Sequence, residues 1–277
     1  MSMARKSISI GIALGSGSAR GWAHIGVLQT LAEAGIAPHI VCGTSIGALV
    51  GAVYADDDLD ALEQWVTGLT WRKLVSYFDL SFGGGIIKGE KLFDYLRGSL
   101  LDKKIGDLQR PFAAVATDLA SGSEVWLRDG PVADAVRASI ALPGLFTPWP
   151  RGGRLLVDGA LVNPVPVSLA RAMEADFVIA VDLTSSSIGQ YAHRVEPEQR
   201  KARQPSMIEV VANCLNIVDM RITRSRLAGE PADAVIQPRL GHVGVLEYHR
   251  AAEAIAEGRA ATEVMISQIR RLLDDRR

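Results

Sequence analysis

The first 55 residues constrain the fold more than any other stretch of the chain. A β-favourable run, Ile8–Leu14, leads through a small-residue turn, Gly15–Gly21, into a segment where Trp22, Ile25, Val27, Leu28 and Leu31 share one helical face. Gly35 follows as a helix stop, and His39–Cys42 is a second short apolar run. A sharp turn at Gly43–Gly47 then opens a helix over Ile46–Tyr54. Strand, loop, helix, strand, turn, helix is the order of a parallel sheet covered by helices, since parallel neighbours need a crossover between them.

The remaining chain extends this grammar. Asp58–Leu69 and Gly89–Leu101 read as helices separated by the glycine run Gly83–Gly85. Phe112–Leu119 and Glu124–Arg128 read as a hairpin, Pro131–Ile140 as a helix, and Pro143–Pro150, with three prolines, as non-helical. Leu155–Val157 and Phe177–Val181 are expected strands, with Ala234–Gln237 as a last one. Residues 184–206 are polar and aperiodic and are expected to form a mobile surface loop. Met207, Val211, Cys214, Val218 and Ile222 then recur at helical spacing, and a long helix is expected from Glu247. Neither side of 184–206 completes a sheet alone, so a single domain over residues 1–277 is expected.

Composition narrows the function classes. The apolar fraction of 48% allows a large core and excludes a disordered chain. A formal net charge of −1 removes the electrostatic case for a nucleic-acid partner. Cys42 and Cys214 form no CxxC pair, which excludes a zinc ribbon or disulfide scaffold, and both are expected to be buried free thiols in a reducing cytoplasm. The nearly apolar run Ile40–Tyr54 is too short to span a bilayer. Arg5 and Lys6 before Ile8–Leu14 have the outline of a signal peptide. Ser9 and Gly11 interrupt that run, and cleavage there would remove the glycine loop, so a cytoplasmic, soluble chain is expected.

Three features carry candidate chemistry. Gly43-Thr44-Ser45-Ile46-Gly47 is a GxSxG pattern between strand and helix, which exposes a serine on a strained turn; a plain helix cap at Ser45 is the alternative. Gly15-Ser16-Gly17-Ser18-Ala19-Arg20-Gly21 lacks the spacing of a dinucleotide loop or a Walker loop. It fits instead a loop that aims backbone N–H groups at an oxyanion. Asp158-Gly159-Ala160 ends a strand, where a carboxylate borders the cleft of a parallel sheet and burial would raise its pKa toward a base range. A structural Asp-Gly turn is the alternative there.

The order and context of these features resemble the patatin-like phospholipase family, in particular its bacterial RssA-like members related to neuropathy target esterase. The likeness extends through ARGWAHIGVL at 19–28, ATDLASG at 116–122, ASIALPGLFTPW at 138–149 and LVDGALVNPVPV at 156–167. It implies a three-layer α/β/α sandwich with a mainly parallel central sheet. It also implies Ser45 as nucleophile, Asp158 as its base, and an oxyanion loop of Gly15, Gly17 and Ser18 that Arg20 helps to hold. Gly43, Gly47, Gly159 and Ala160 complete the motifs, and the substrate is a lipid acyl ester, with no cofactor and no metal. Many relatives have glycine where Ser16 and Ser18 stand.

A Ser–Asp–His triad would require His193, His242 or His249, and a lipid-binding protein without catalysis would keep the same fold. His24 and His39 precede Ser45 and match no role. The five tryptophans are expected mostly in the core, with Trp71 and Phe82 as candidates for an acyl groove. In the last helix Arg259, Arg270, Arg271, Arg276 and Arg277 lie beside Val264, Ile266, Ile269 and Leu272. Asp274 and Asp275 dilute that charge, so a solvated helix packed on the core is expected, with at most a transient membrane-surface contact.

Overall fold

The computed structural model describes residues 8–69, 102–185 and 207–276. The expected helix Gly89–Leu101, the glycine run Gly83–Gly85, Trp71, Phe82 and His193 lie outside the described residues, as does the polar loop beyond residue 185.

The strands are β1 (Ile10–Leu14), β2 (Ile40–Thr44), β3 (Phe112–Asp118), β4 (Glu124–Leu127), β5 (Trp149–Arg151), β6 (Arg154–Asp158), β7 (Phe177–Val181) and β8 (Ala234–Ile236). The helices are α1 (Ala23–Glu33), α2 (Ile46–Ala55), α3 (Leu59–Thr67), α4 (Val132–Ser139), α5 (Val167–Ala172), α6 (Met207–Gly229), α7 (Ala251–Glu263) and α8 (Ile266–Asp274). Strands β8, β7, β1, β2 and β3 pair in that order, all parallel. β4 and β6 add to β3 antiparallel, and β5 adds to β6.

Strands β1, β2, β3 and β7 are buried along their whole length, which is why they read as unbroken apolar runs rather than alternating ones. Their side chains split between two cores. Ile12, Leu14, Val41, Phe112 and Ile179 face the layer of α1, α2, α3, α4, α7 and α8. Ala13, Cys42, Val115 and Val178 face α5, through Val167, Leu169 and Ala170. This is the expected three-layer sandwich. α1 and α7 meet closely, because a methyl group on Gly26 would overlap the Ile255 carbonyl and one on Gly258 the Ala23 carbonyl.

One detail of register places the site. Val115 pairs with Thr44 of β2 and with Trp126 of β4, so β2 and β4 flank β3 on opposite sides. Ala116 pairs with Val125 of β4 and with Asp158 of β6, so β6 lies on the side of β2. β2 and β6 therefore run toward each other along one flank of β3. They end head to head, with Thr44 opposite Val115 and Asp158 opposite Ala116. Residues 45 and 158 meet because both strands stop at the same point.

Several expectations need correction. Cys42 is buried but Cys214 is exposed, because α6 turns part of its apolar stripe outward, with Val211, Ile217 and Val218 also exposed. Trp126 is exposed on the edge strand β4, where its indole N–H donates to Glu124. The expected long C-terminal helix is a turn at Tyr248–Arg250 followed by two helices, α7 and α8. The buried Thr262 hydroxyl bonds back to the Gly258 carbonyl near the break, a contact that competes with the helical ladder. The proline-rich stretch ends in β5, where Pro150 is tolerated because the strand is an edge. Thr184, expected in the loop, is buried, and its N–H and hydroxyl both donate to Asp182.

Candidate active site

Ser45 sits between β2 and α2 with φ 58° and ψ −125°, a conformation that costs a non-glycine residue about 1–3 kcal/mol. The flanking glycines make it attainable. A methyl group on Gly43 would overlap the Gly47 carbonyl, and one on Gly47 would overlap the Leu14 carbonyl. The turn is fixed by a residue the sequence reading missed. The Ser45 N–H donates to Ser139 Oγ at 2.8 Å, and the Ser139 hydroxyl donates to the Val115 carbonyl at 2.6 Å. Ser139 is fully buried at the end of α4 and had no signal beyond its place in the 138–149 stretch.

The Ser45 hydroxyl donates to Asp158 Oδ2 at 2.7 Å. The other carboxylate oxygen, Oδ1, accepts the Ala160 N–H at 2.9 Å, so Asp158 also makes the local turn that stood as the alternative reading of Asp158-Gly159-Ala160. The backbone of Asp158 is clamped as well: its N–H donates to the Ala141 carbonyl and its carbonyl accepts the Thr117 hydroxyl. Gly159 is required because a methyl there would overlap the Val115 carbonyl. Asp158 is 1% exposed. Burial pushes its pKa up to about 6, while the Ala160 N–H and the Ser45 hydroxyl pull the other way.

The glycine loop closes over the same point. The N–H groups of Gly15 and Ser16 are taken by the Val181 and Pro164 carbonyls, and that of Ala19 by Val245. Gly15, expected among the oxyanion donors, thus has its N–H committed within the fold and shapes the loop instead. Gly17 (φ 156°) and Ser18 (φ 54°) form the turn between, and both line the pocket that holds Ser45. Arg20 is buried and bonded within the fold: its Nε donates to the Val243 carbonyl and its Nη1 to Asn216 Oδ1.

The described histidines stand elsewhere. His24 is buried and bonded through Nε2 to the Gly15 carbonyl at 2.7 Å, and burial lowers its pKa to about 4. His39 Nδ1 accepts the Ile10 N–H, and His242 pairs with Glu253 at 2.8 Å. His249 lies on the Tyr248–Arg250 turn. Among the described residues, no histidine bonds to Ser45 or Asp158.

Above the serine lies a pocket whose walls are mainly apolar, including Trp22, Leu49, Leu142, Phe146, Leu215 and Leu246. Its polar groups, Ser16, Ser45, Asp158, Asn216 and Asp219 among them, include a second carboxylate that the sequence reading also missed. Desolvation pushes the Asp219 pKa up to about 7, opposed by the Ser16 hydroxyl.

The fold is an α/β sandwich with an apolar pocket over a serine–carboxylate pair. The family model described as "Patatin-like phospholipase" matches residues 12–171. An uncharacterized NTE family protein of Mycobacterium bovis is 33% identical over 92% of this chain and 91% of its own length. Human patatin-like phospholipase domain-containing protein 6 is 33% identical over 73% of this chain, which matches only 16% of that longer protein. The solved structure of VipD from Legionella pneumophila shares the fold at a TM-score of 0.54 and 18% identity, covering 95% of this chain and 67% of VipD. The chain belongs to the patatin-like phospholipase family. Lipid acyl hydrolysis is the chemistry of that family. Among the described residues, no helix is long and apolar enough to cross a membrane.

Proposed function

We propose that this chain is a single-domain serine acyl hydrolase that cleaves fatty-acyl esters, of phospholipase A or lysophospholipase type, with a Ser45–Asp158 dyad. The observation that carries the reading is the 2.7 Å hydrogen bond from Ser45 to a buried carboxylate at the floor of an apolar pocket.

Asp158 takes the proton of Ser45 as the serine oxygen attacks the ester carbonyl. The N–H groups of Gly17 and Ser18 receive the oxyanion, in a setting where each donor is worth about 3 kcal/mol to the transition state. Asp158 returns the proton to the departing alcohol, leaving an acyl-serine. It then takes a proton from water, whose oxygen attacks the acyl carbon; the bond to Ser45 Oγ breaks, Asp158 returns the proton to that oxygen, and the fatty acid leaves. The Ala160 N–H keeps Oδ1 occupied, so that Oδ2 remains the oxygen that faces the serine. The apolar walls suit an acyl chain, and a transient contact with a lipid surface at a cytoplasmic location completes the proposal.

The test is turnover of p-nitrophenyl butyrate and of a panel of phospholipids and lysophospholipids, with products identified. Release of free fatty acid by the wild type, and its loss in Ser45→Ala, is the expected result. Equal turnover in Ser45→Ala would overturn the reading. The acid limb supplies a second check. The base must be ionised, and its pKa in the free protein is raised to about 6, so kcat/KM should climb between pH 5 and pH 7 and then level. A limb centred near pH 4, the ordinary carboxylate range, would contradict the role given to burial.

A further inference from the structure

The two serines that stand in the glycine loop are both used. The Ser16 hydroxyl donates to Asp219 Oδ2 at 2.6 Å, and the Ser18 hydroxyl shares a 2.7 Å hydrogen bond with the hydroxyl of Tyr248. Ser18 holds a positive φ of 54°, which glycine would adopt without strain. A serine there gains its hydroxyl contact, and Ser16 is 3% exposed with its side chain turned toward α6. Asp219 is itself braced within α6 by the Thr223 hydroxyl at 3.3 Å. One helical turn earlier on α6, Asn216 accepts from Arg20, so the helix grips the loop on either side of Gly17 and Ser18.

The same helix forms a wall of the acyl pocket through Ala212 and Leu215. We infer that Asp219 is a positioning residue for the reaction: by accepting the Ser16 hydroxyl it ties the oxyanion loop to α6 and fixes the Gly17 and Ser18 N–H groups relative to Ser45. Ser16 and Ser18 are then side-chain tethers for a loop that glycines at those positions would leave slack. This inference rests on the hydrolase reading above.

The test is steady-state kinetics on p-nitrophenyl butyrate for Ser16→Ala, Asp219→Ala, the double variant and Asp219→Asn, each with its melting temperature. Ser16→Ala and Asp219→Ala should each lower kcat about 10-fold, a fraction of the loss that follows complete removal of an oxyanion donor, with KM within twofold of wild type. The double variant should be no slower than either single one, since both remove one contact. Asp219→Asn should recover most of the rate, because its carboxamide oxygen still accepts the Ser16 hydroxyl. Unchanged kcat in Ser16→Ala, losses that multiply in the double variant, or an Asn variant as slow as the Ala variant would each overturn the inference. If Asp219→Ala fails to fold, Ser16→Ala and Asp219→Asn carry the test between them. A wild type whose turnover survives Ser45→Ala refutes the hydrolase reading. A wild type that depends on Ser45 but is indifferent to Ser16→Ala refutes only the tether.

Discussion

Asp158→Asn is expected to cut ester turnover by about 1000-fold or more while making the protein more stable at neutral pH. The loss follows from geometry: the asparagine carbonyl can still accept the Ala160 N–H, but an NH2 group then faces Ser45 and cannot take its proton. The gain follows from linkage. The carboxyl has a folded-state pKa of about 6 against an ordinary 3.8, so at pH 7 it is ionised at a site that disfavours the charge. At about 1.4 kcal/mol for each pKa unit, that charge costs the fold up to about 3 kcal/mol. The penalty is absent below pH 3.8, where the group is protonated in both states, and grows as pH rises to 6. Urea unfolding should therefore show Asp158→Asn ahead of the wild type at pH 8, with the gap closing toward pH 4. A variant that is inactive and also destabilised at pH 8 would mean that the carboxylate is a structural anchor.

Gly47→Ala is expected to lose about 3 kcal/mol of stability, or roughly 10 °C in melting temperature, and most of its activity. The added methyl meets backbone, the carbonyls of Leu14 and Gly15, which cannot rotate away as a side chain would. Relief requires α2 to back away from β1, and that motion shifts the serine turn and the start of the glycine loop together. Gly106→Ala is the matching control, since nothing lies within 4 Å of its added methyl, and its melting temperature should stay within about 2 °C of wild type. Equal melting temperatures for the two variants would show that the approach of α2 to β1 is not the constraint described above.

Much of this was legible in the sequence because the site is made of local punctuation. Gly43 and Gly47 are needed by the turn that Ser45 occupies, and Asp158-Gly159 by a strand end under a carbonyl, so each leaves its mark within a few residues. The order of the first two strands and helices was legible for the same reason. The parts that escaped are contacts across long separations. Ser139 reads as a small residue at the end of a helix, and nothing nearby signals that its hydroxyl holds the Ser45 N–H. Asp219 lies in a helix whose charges look like a solvated face, and its partner is 203 residues away. Gly15 reads like its neighbours Gly17 and Ser18, and only the pairing of β1 with β7 reveals that its N–H is already taken by Val181. The C-terminal segment is helical as expected, but nothing in its sequence marks the break after Glu263, beside which the Thr262 hydroxyl bonds to the Gly258 carbonyl.

The account turns on an activated serine whose base is a buried carboxylate, and reaction with a fluorophosphonate measures that directly. The rate of modification of the wild type and of Asp158→Asn should be compared at pH 8, with the modified residue located by mass spectrometry. The expected result is a single adduct on Ser45 that forms slower by a factor of about 100 or more in Asp158→Asn. An adduct on another serine, or equal rates in the two proteins, would contradict it.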